Sequence, residues 1–151
     1  MSRRKNSQAA NGRAKRSPNS YLFVYGTLMK GQRLHHHLGD PSAARYVGPA
    51  KIRGELYRLP ARRYPAAIQS LSADHFVHGE LYRMRKPAHV LPALDEVEGC
   101  NEGLFERRLV NVWAKGTKRR AWTYLFAQPL PKVPKAQIIP TGRFHYQQAH
   151  A

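Results

Sequence analysis

Tyr21 to Gly31, YLFVYGTLMKG, is the stretch whose reading decides the fold. Tyr21, Leu22, Phe23, Val24 and Tyr25 are aromatic, aliphatic or β-branched without a polar interruption, the pattern of a strand buried on both faces. Gly26 ends the run, and Thr27 to Gly31 turns the chain toward a run of three histidines. Glycines at both ends of that turn can take positive φ and let another group approach the backbone closely. A loop leaving a buried strand can aim several N–H groups at one anionic point, so an anion or oxyanion site is one reading of it. The other is an ordinary strand-to-loop exit of an α/β or β domain.

Downstream, the element GELYR occurs twice, at Gly54–Arg58 and Gly79–Arg83, inside the longer stretches Ala43–Leu59 and Phe76–Arg85. In each copy Glu and Tyr alternate with Leu and Arg, the period of two of a strand, which suggests two strands of one curved sheet bent at their glycines. Between them RRYPAAIQS predicts a turn at Tyr64-Pro65, a short strand over Ala66–Ile68 and a loop over Ser70–Asp74. Phe105–Trp113 and Arg119–Ala127 read as a hairpin whose turn, AKGTK, centres on Lys115-Gly116.

Pro87–Gly99, PAHVLPALDEVEG, is the clearest helix, with Pro in its first turn and Gly at its end. Pro92 predicts either a kink or a later start. With about 100° per residue and Val90 at zero, Leu94 falls near 40°, Leu91 near 100° and Glu98 near 80°, whereas Asp95 lies near 140° and Glu96 near 240°. Glu98 therefore belongs to the apolar face. A carboxyl there is either paired with a neighbouring Arg or has its pKa raised into the range a general acid or base needs. One or two helical turns are also expected in GQRLHHHL, where Leu34 and Leu38 share a side. His35, His36 and His37 point about 100° apart and have no acidic or Cys partner nearby, so no metal is expected there.

The 151 residues carry 26 Lys and Arg against 9 Asp and Glu, a net charge of +17. Six of those cations, Arg3, Arg4, Lys5, Arg13, Lys15 and Arg16, fall in residues 1–20, which hold no acid and almost nothing apolar, so a disordered basic tail is expected. Taking six from 17 leaves +11 on the rest. Residues 21–128 are expected to form the domain, and 129–151, rich in Pro before Ile138-Ile139, an extended arm packed on it. Neither a secretory leader nor an apolar run of about 18 residues is visible, which predicts no membrane span. The single Cys100 excludes an intrachain disulfide and fits a reducing, cytoplasmic location.

Tyr25-Gly26-Thr27-Leu28 with Gly31, then YPAAI, the second GELY, LDEVEG and FERR, in that order and spacing, resemble the gamma-glutamylcyclotransferase-like superfamily. The likeness is greatest to the small branch that includes gamma-glutamylamine cyclotransferases, and it spans about Tyr21–Phe126. The resemblance implies an α+β fold, a compact five- to six-stranded mixed β-barrel flanked by short helices. It implies that Tyr25, Gly26, Thr27 and Leu28 bind the glutamyl moiety through backbone N–H groups, and that Glu98 is the catalytic acid/base. Phe105 stands where the family commonly has Tyr, two residues before Arg107, so substrate contact through a phenol hydroxyl is lost or moved.

The implied reaction is cofactor-free. The α-amino nitrogen of a gamma-glutamyl amine or amide attacks its own γ-carbonyl, giving 5-oxoproline and a free amine. Glu98 would move the proton, the Gly26–Leu28 loop would cradle glutamyl group and oxyanion, and Arg107 is a candidate partner for the substrate carboxylate. No metal is called for. Two other classes stay open: a basic nucleic-acid-binding module, for which no recognisable motif is present, and a catalytically silent relative that binds a similar ligand. The tail is a candidate for non-specific polyanion contact.

Overall fold

The computed structural model describes residues 20–39, 41–60, 62–70, 74–129 and 136–145. The basic tail expected over 1–20 lies outside them except for Ser20, as do 130–135 and 146–151 of the expected arm and the middle of the loop expected over Ser70–Asp74.

The described residues form a sheet of seven strands. They are β1 (Tyr21–Val24), β2 (Ala44–Arg58), β3 (Ala66–Gln69), β4 (Phe76–Met84), β5 (Phe105–Ala114), β6 (Thr117–Phe126) and β7 (Gln137–Ile138), with the helix α1 (Pro87–Val97) between β4 and β5. The order β3-β2-β4-β1-β6-β5 closes through a β2–β5 pairing at Lys51 and Trp113, so five strands make a barrel and β3 and β7 extend it along β2. All pairings are antiparallel except β1 with β6, which meet in parallel at Leu22 and Trp122. This is the mixed barrel expected from the motifs.

Strand β1 is the seam between two cores. Phe23 and Tyr25 join Ile52, Leu56, Val77, Leu81 and Val112 in the cluster among the strands. Leu22 and Val24 face the other way, into a cluster with Leu38, Met84, Leu91, Leu94 and Phe105 under the helix. Both faces of β1 are thus dry, and its alternation is apolar against apolar rather than apolar against polar.

The GELYR copies have a physical reason. A Cβ on Gly79 would strike the backbone carbonyl of Val24 and the Phe23 ring, and one on Gly54 would meet the Ile68 carbonyl at 2.6 Å. Each glycine admits a neighbouring strand's backbone, β1 in one case and β3 in the other. In each copy, too, the Tyr hydroxyl donates to the Glu two residues earlier, Tyr57 to Glu55 at 3.0 Å and Tyr82 to Glu80 at 2.9 Å. What these glycines provide is close strand approach.

Elsewhere the structure adjusts the expected boundaries. The hairpin is tighter than expected: β5 and β6 run to Ala114 and from Thr117, and Lys115-Gly116 alone makes the turn, both at positive φ (52° and 76°). That is the two-residue connection whose twist matches the strands. The helix runs unbroken from Pro87 through Pro92 to Val97. Pro92 and Ala88, whose carbonyl the proline leaves without its i+4 N–H partner, are both exposed, so that carbonyl is not buried unpaired. The histidine run forms a single turn of 3-10 helix, His35–Leu38. Gln137–Ile138 pairs with β2, the Ile139 N–H donates to the Leu56 carbonyl of β2, and Gly142 accepts from the His78 N–H of β4. Among the described residues no helix is long and apolar enough to cross a membrane.

The β1–β4 crossing at Gly79 gives a direct stability test. Gly79→Ala is expected to lower unfolding free energy by about 3 kcal/mol or more, because carbonyl and aromatic ring are both fixed in the core. Equilibrium urea unfolding checks it. Gly31→Ala, where no heavy atom lies within 4 Å of the added Cβ, is expected to cost only the positive-φ strain of about 1 kcal/mol.

Candidate active site

A narrow cavity opens where β1 ends. Tyr25, Gly26, Thr27 and Leu28 line one side, Glu98 and Phe105 another, and Tyr64 with Pro65 a third. Its volume is about 20 Å³, room for one water. The loop and the helix-end carboxyl, far apart in sequence, thus share one space. Gly26 sits directly against Pro65, whose ring carbons lie 2.9 Å from where a Cβ would stand.

The loop is polarised by its hydrogen bonds. The Gly26 carbonyl accepts from the Met29 N–H at 3.0 Å, the Thr27 carbonyl from the Leu34 N–H at 2.9 Å and the Leu28 carbonyl from His35 Nδ1 at 2.8 Å. By contrast, among the described residues the N–H groups of Gly26, Thr27 and Leu28 have no protein acceptor. Beyond them, the Lys30 N–H donates to Glu80 Oε1 at 3.0 Å, which fastens the far end of the loop to β4. The Tyr25 hydroxyl is committed to structure: it donates to the Tyr124 carbonyl at 2.6 Å and accepts from the Ala67 N–H at 3.3 Å. Burial pushes its pKa far up, with Glu98 adding to the effect.

Glu98 follows the last residue of α1 and donates its N–H to the Leu94 carbonyl at 2.8 Å, so it keeps the helical register for one more position. Val90, Leu91 and Leu94 are buried, Asp95 and Glu98 partly so, and Glu96 is exposed. Gly99, at φ 70°, then turns the chain away. Burial raises the Glu98 carboxyl from its ordinary 4.5 to about 7, with the Arg33 guanidinium pulling the other way. Among the described residues it forms no salt bridge.

Arg107 stands apart from this cavity. Its guanidinium grips Asp95 bidentately, at 2.8 and 3.1 Å, and lies 4.7 Å from the centroid of Trp122. Asp95 also accepts from the Tyr124 hydroxyl at 2.7 Å. This network fastens α1 to β5 and β6, so Arg107 acts on the helix that presents Glu98. Phe105 does line the cavity and packs edge-on against Tyr64 and Phe126. A larger cavity, about 1020 Å³, lies near the start of α1; Arg107 lines it and Glu98 does not. Among the described residues no group of His, Cys, Asp and Glu could hold a metal ion.

Several contributors escape a reading of the sequence alone. His35 braces the loop, Tyr64 and Pro65 wall the cavity, and Arg33 acts on Glu98. The YP dipeptide was visible as a turn, but nothing local to it points at Gly26.

A five-stranded mixed barrel extended by β3 and β7 defines the class of fold, which solved structures share. The crystal structure of an AIG2-like protein of Mus musculus has the same fold, with a TM-score of 0.68 at 23% identity over 87% of this chain and 91% of that one. The chain belongs to the family of gamma-glutamyl cyclotransferases, AIG2-like, whose profile matches residues 22–146. It is 30% identical to the gamma-L-glutamyl-butirosin B gamma-glutamyl cyclotransferase of Niallia circulans over 70% of its own length, and 28% identical to gamma-glutamylaminecyclotransferase A of Danio rerio over 60%. Those matches span 65% and 57% of the two relatives.

The raised Glu98 carboxyl has a measurable cost. The folded state binds its proton more tightly than the unfolded chain, so stability falls as pH rises from about 4.5 to about 7. Glu98→Gln removes that loss. The variant is expected to match the parent in urea unfolding at pH 4 and to exceed it by about 1–3 kcal/mol at pH 8.

Proposed function

We propose that the protein is a cofactor-free gamma-glutamyl cyclotransferase that releases 5-oxoproline and a free amine from a gamma-glutamyl amine or amide. One observation carries the reading: Gly26, Thr27 and Leu28, whose N–H groups have no protein acceptor among the described residues, line the same cavity as a carboxyl whose pKa burial raises to about 7. Family membership and the names of the relatives agree with it.

In this reading the glutamyl group folds so that its α-nitrogen faces its own γ-carbonyl. The Glu98 carboxylate takes a proton from the α-ammonium, and the freed amine forms the new C–N bond. The developing oxyanion is met by N–H groups of Gly26, Thr27 and Leu28. The protonated Glu98 then gives its proton to the leaving nitrogen as the old C–N bond breaks. One C–N bond forms and one breaks; the attacking nitrogen sheds a second proton as it becomes the lactam N–H, and the released amine takes that proton up as its ammonium, so the balance closes with no oxidant and no water consumed. A carboxyl with a pKa about 7 is available in both forms at neutral pH. Holding the folded conformer contributes some part of the roughly 7–11 kcal/mol open to well-oriented intramolecular reactions.

Tyr25 fixes the loop's starting point, and Phe105 supplies shape in place of a phenol hydroxyl. Arg33, whose charge already reaches Glu98, is the cation assigned to the substrate α-carboxylate, and Arg107 is a positioning residue for α1. A glutamyl group is far larger than one water, so binding requires the wall of Tyr64 and Pro65 to move outward. Tyr64 is only partly buried.

Glu98→Gln, folded by circular dichroism, is expected to release 5-oxoproline about 10²–10⁴-fold more slowly from a gamma-glutamyl substrate. In the parent, kcat/KM is expected to rise with pH up to about 7 as the carboxylate forms. Undiminished turnover by the variant would remove Glu98 from the mechanism.

A further inference from the structure

Directly behind Tyr64 and Pro65 lies a second cavity of about 330 Å³. These two residues form a common wall with the Glu98 cavity. Arg58, Arg62, Arg63 and Arg143 line the outer space, and its described lining includes no carboxylate. Among the described residues Arg58, Arg62 and Arg143 enter no salt bridge. Arg62 donates instead to the Tyr64 hydroxyl. Arg58, Arg62 and Arg143 set like charges around a small space, and an anion placed among them relieves their repulsion.

We infer that this arginine-lined cavity receives the amine half of the substrate and selects gamma-glutamyl compounds whose leaving amine carries carboxylates, such as gamma-glutamyl derivatives of acidic amino acids. This rests on the cyclotransferase reading and adds to it the part of the substrate that family membership leaves open. The glutamyl half occupies the space beside Glu98, so the amide nitrogen must point out of it through one wall. A third cavity also adjoins it, through Phe105. That wall is closed, because Phe105 is 4% exposed and wedged between Tyr64 and Phe126. Tyr64 is the yielding wall, and beyond it stand the arginines. A volume near 330 Å³ suits a group the size of an amino acid or a dipeptide. A cationic leaving amine, such as a diamine, meets like charge there and is disfavoured.

Three probes share the glutamyl half and differ in the amine: gamma-glutamyl-glutamate, gamma-glutamyl-propylamide and gamma-glutamyl-putrescine. The full chain is expected to rank them in that order by kcat/KM for 5-oxoproline release. Each step should be about tenfold or more at low salt, and the gaps should shrink as ionic strength rises. Arg62→Glu/Arg143→Glu, at two exposed positions, is expected to invert the order. Equal rates, a preference for the putrescine compound, or an order unchanged in the double variant overturns the inference and leaves the cyclotransferase reading standing. Release of 5-oxoproline from none of the three overturns that reading and this inference with it.

Discussion

Strand β1 runs between β4 and β6 with Leu22 and Val24 in one core and Phe23 and Tyr25 in the other, so the chain's exit at Gly26 is constrained from both sides. Gly79 lets β4 close on the Val24 carbonyl, and the Tyr25 hydroxyl links the strand end to β6 and β3. A strand held this way delivers the following loop to a fixed place. The loop's carbonyls are then held by Met29, Leu34 and His35, while its Gly26, Thr27 and Leu28 N–H groups have no protein acceptor among the described residues.

Helix α1 brings the second half of the site, and two of its carboxyls are treated in opposite ways. Asp95 is gripped by Arg107 and bonded by Tyr124, which pins the helix to the sheet. Glu98, one turn on, is partly buried without an ion pair among the described residues and carries a raised pKa. Burying one carboxyl with a partner and another without one on the same short helix costs stability, and it leaves one bound into the helix–sheet contact and the other with a raised pKa. The motif residues LDEVEG and FERR thus belong together because Asp95 and Arg107 are partners in space.

Much of the fold was legible because its signals are local. The uninterrupted apolar run marked β1, the 100° spacing put Glu98 with Leu91 and Leu94, and Lys115-Gly116 marked the hairpin turn. Barrel closure was not legible from local signals and entered only through the family resemblance, because the pairing of Lys51 with Trp113 joins residues about sixty positions apart and leaves no periodic trace. Nor was the fate of Arg107. In a chain with 26 cations, the sequence cannot tell an arginine that meets a substrate from one that grips the helix behind it.

The residues by themselves determined where the chain is strand, helix or turn and which acid lies on the apolar side of the helix, since those follow from side-chain spacing along a regular backbone. The motifs further identified the family. Only the tertiary structure decided that Gly26 packs on Pro65, that His35 holds the Leu28 carbonyl, and that Glu98 faces the loop across a cavity one water wide. The placing of arginines behind Tyr64 belongs with these. Each depends on the barrel closing and bringing distant segments within a few ångströms, a long-range constraint that no window of sequence contains.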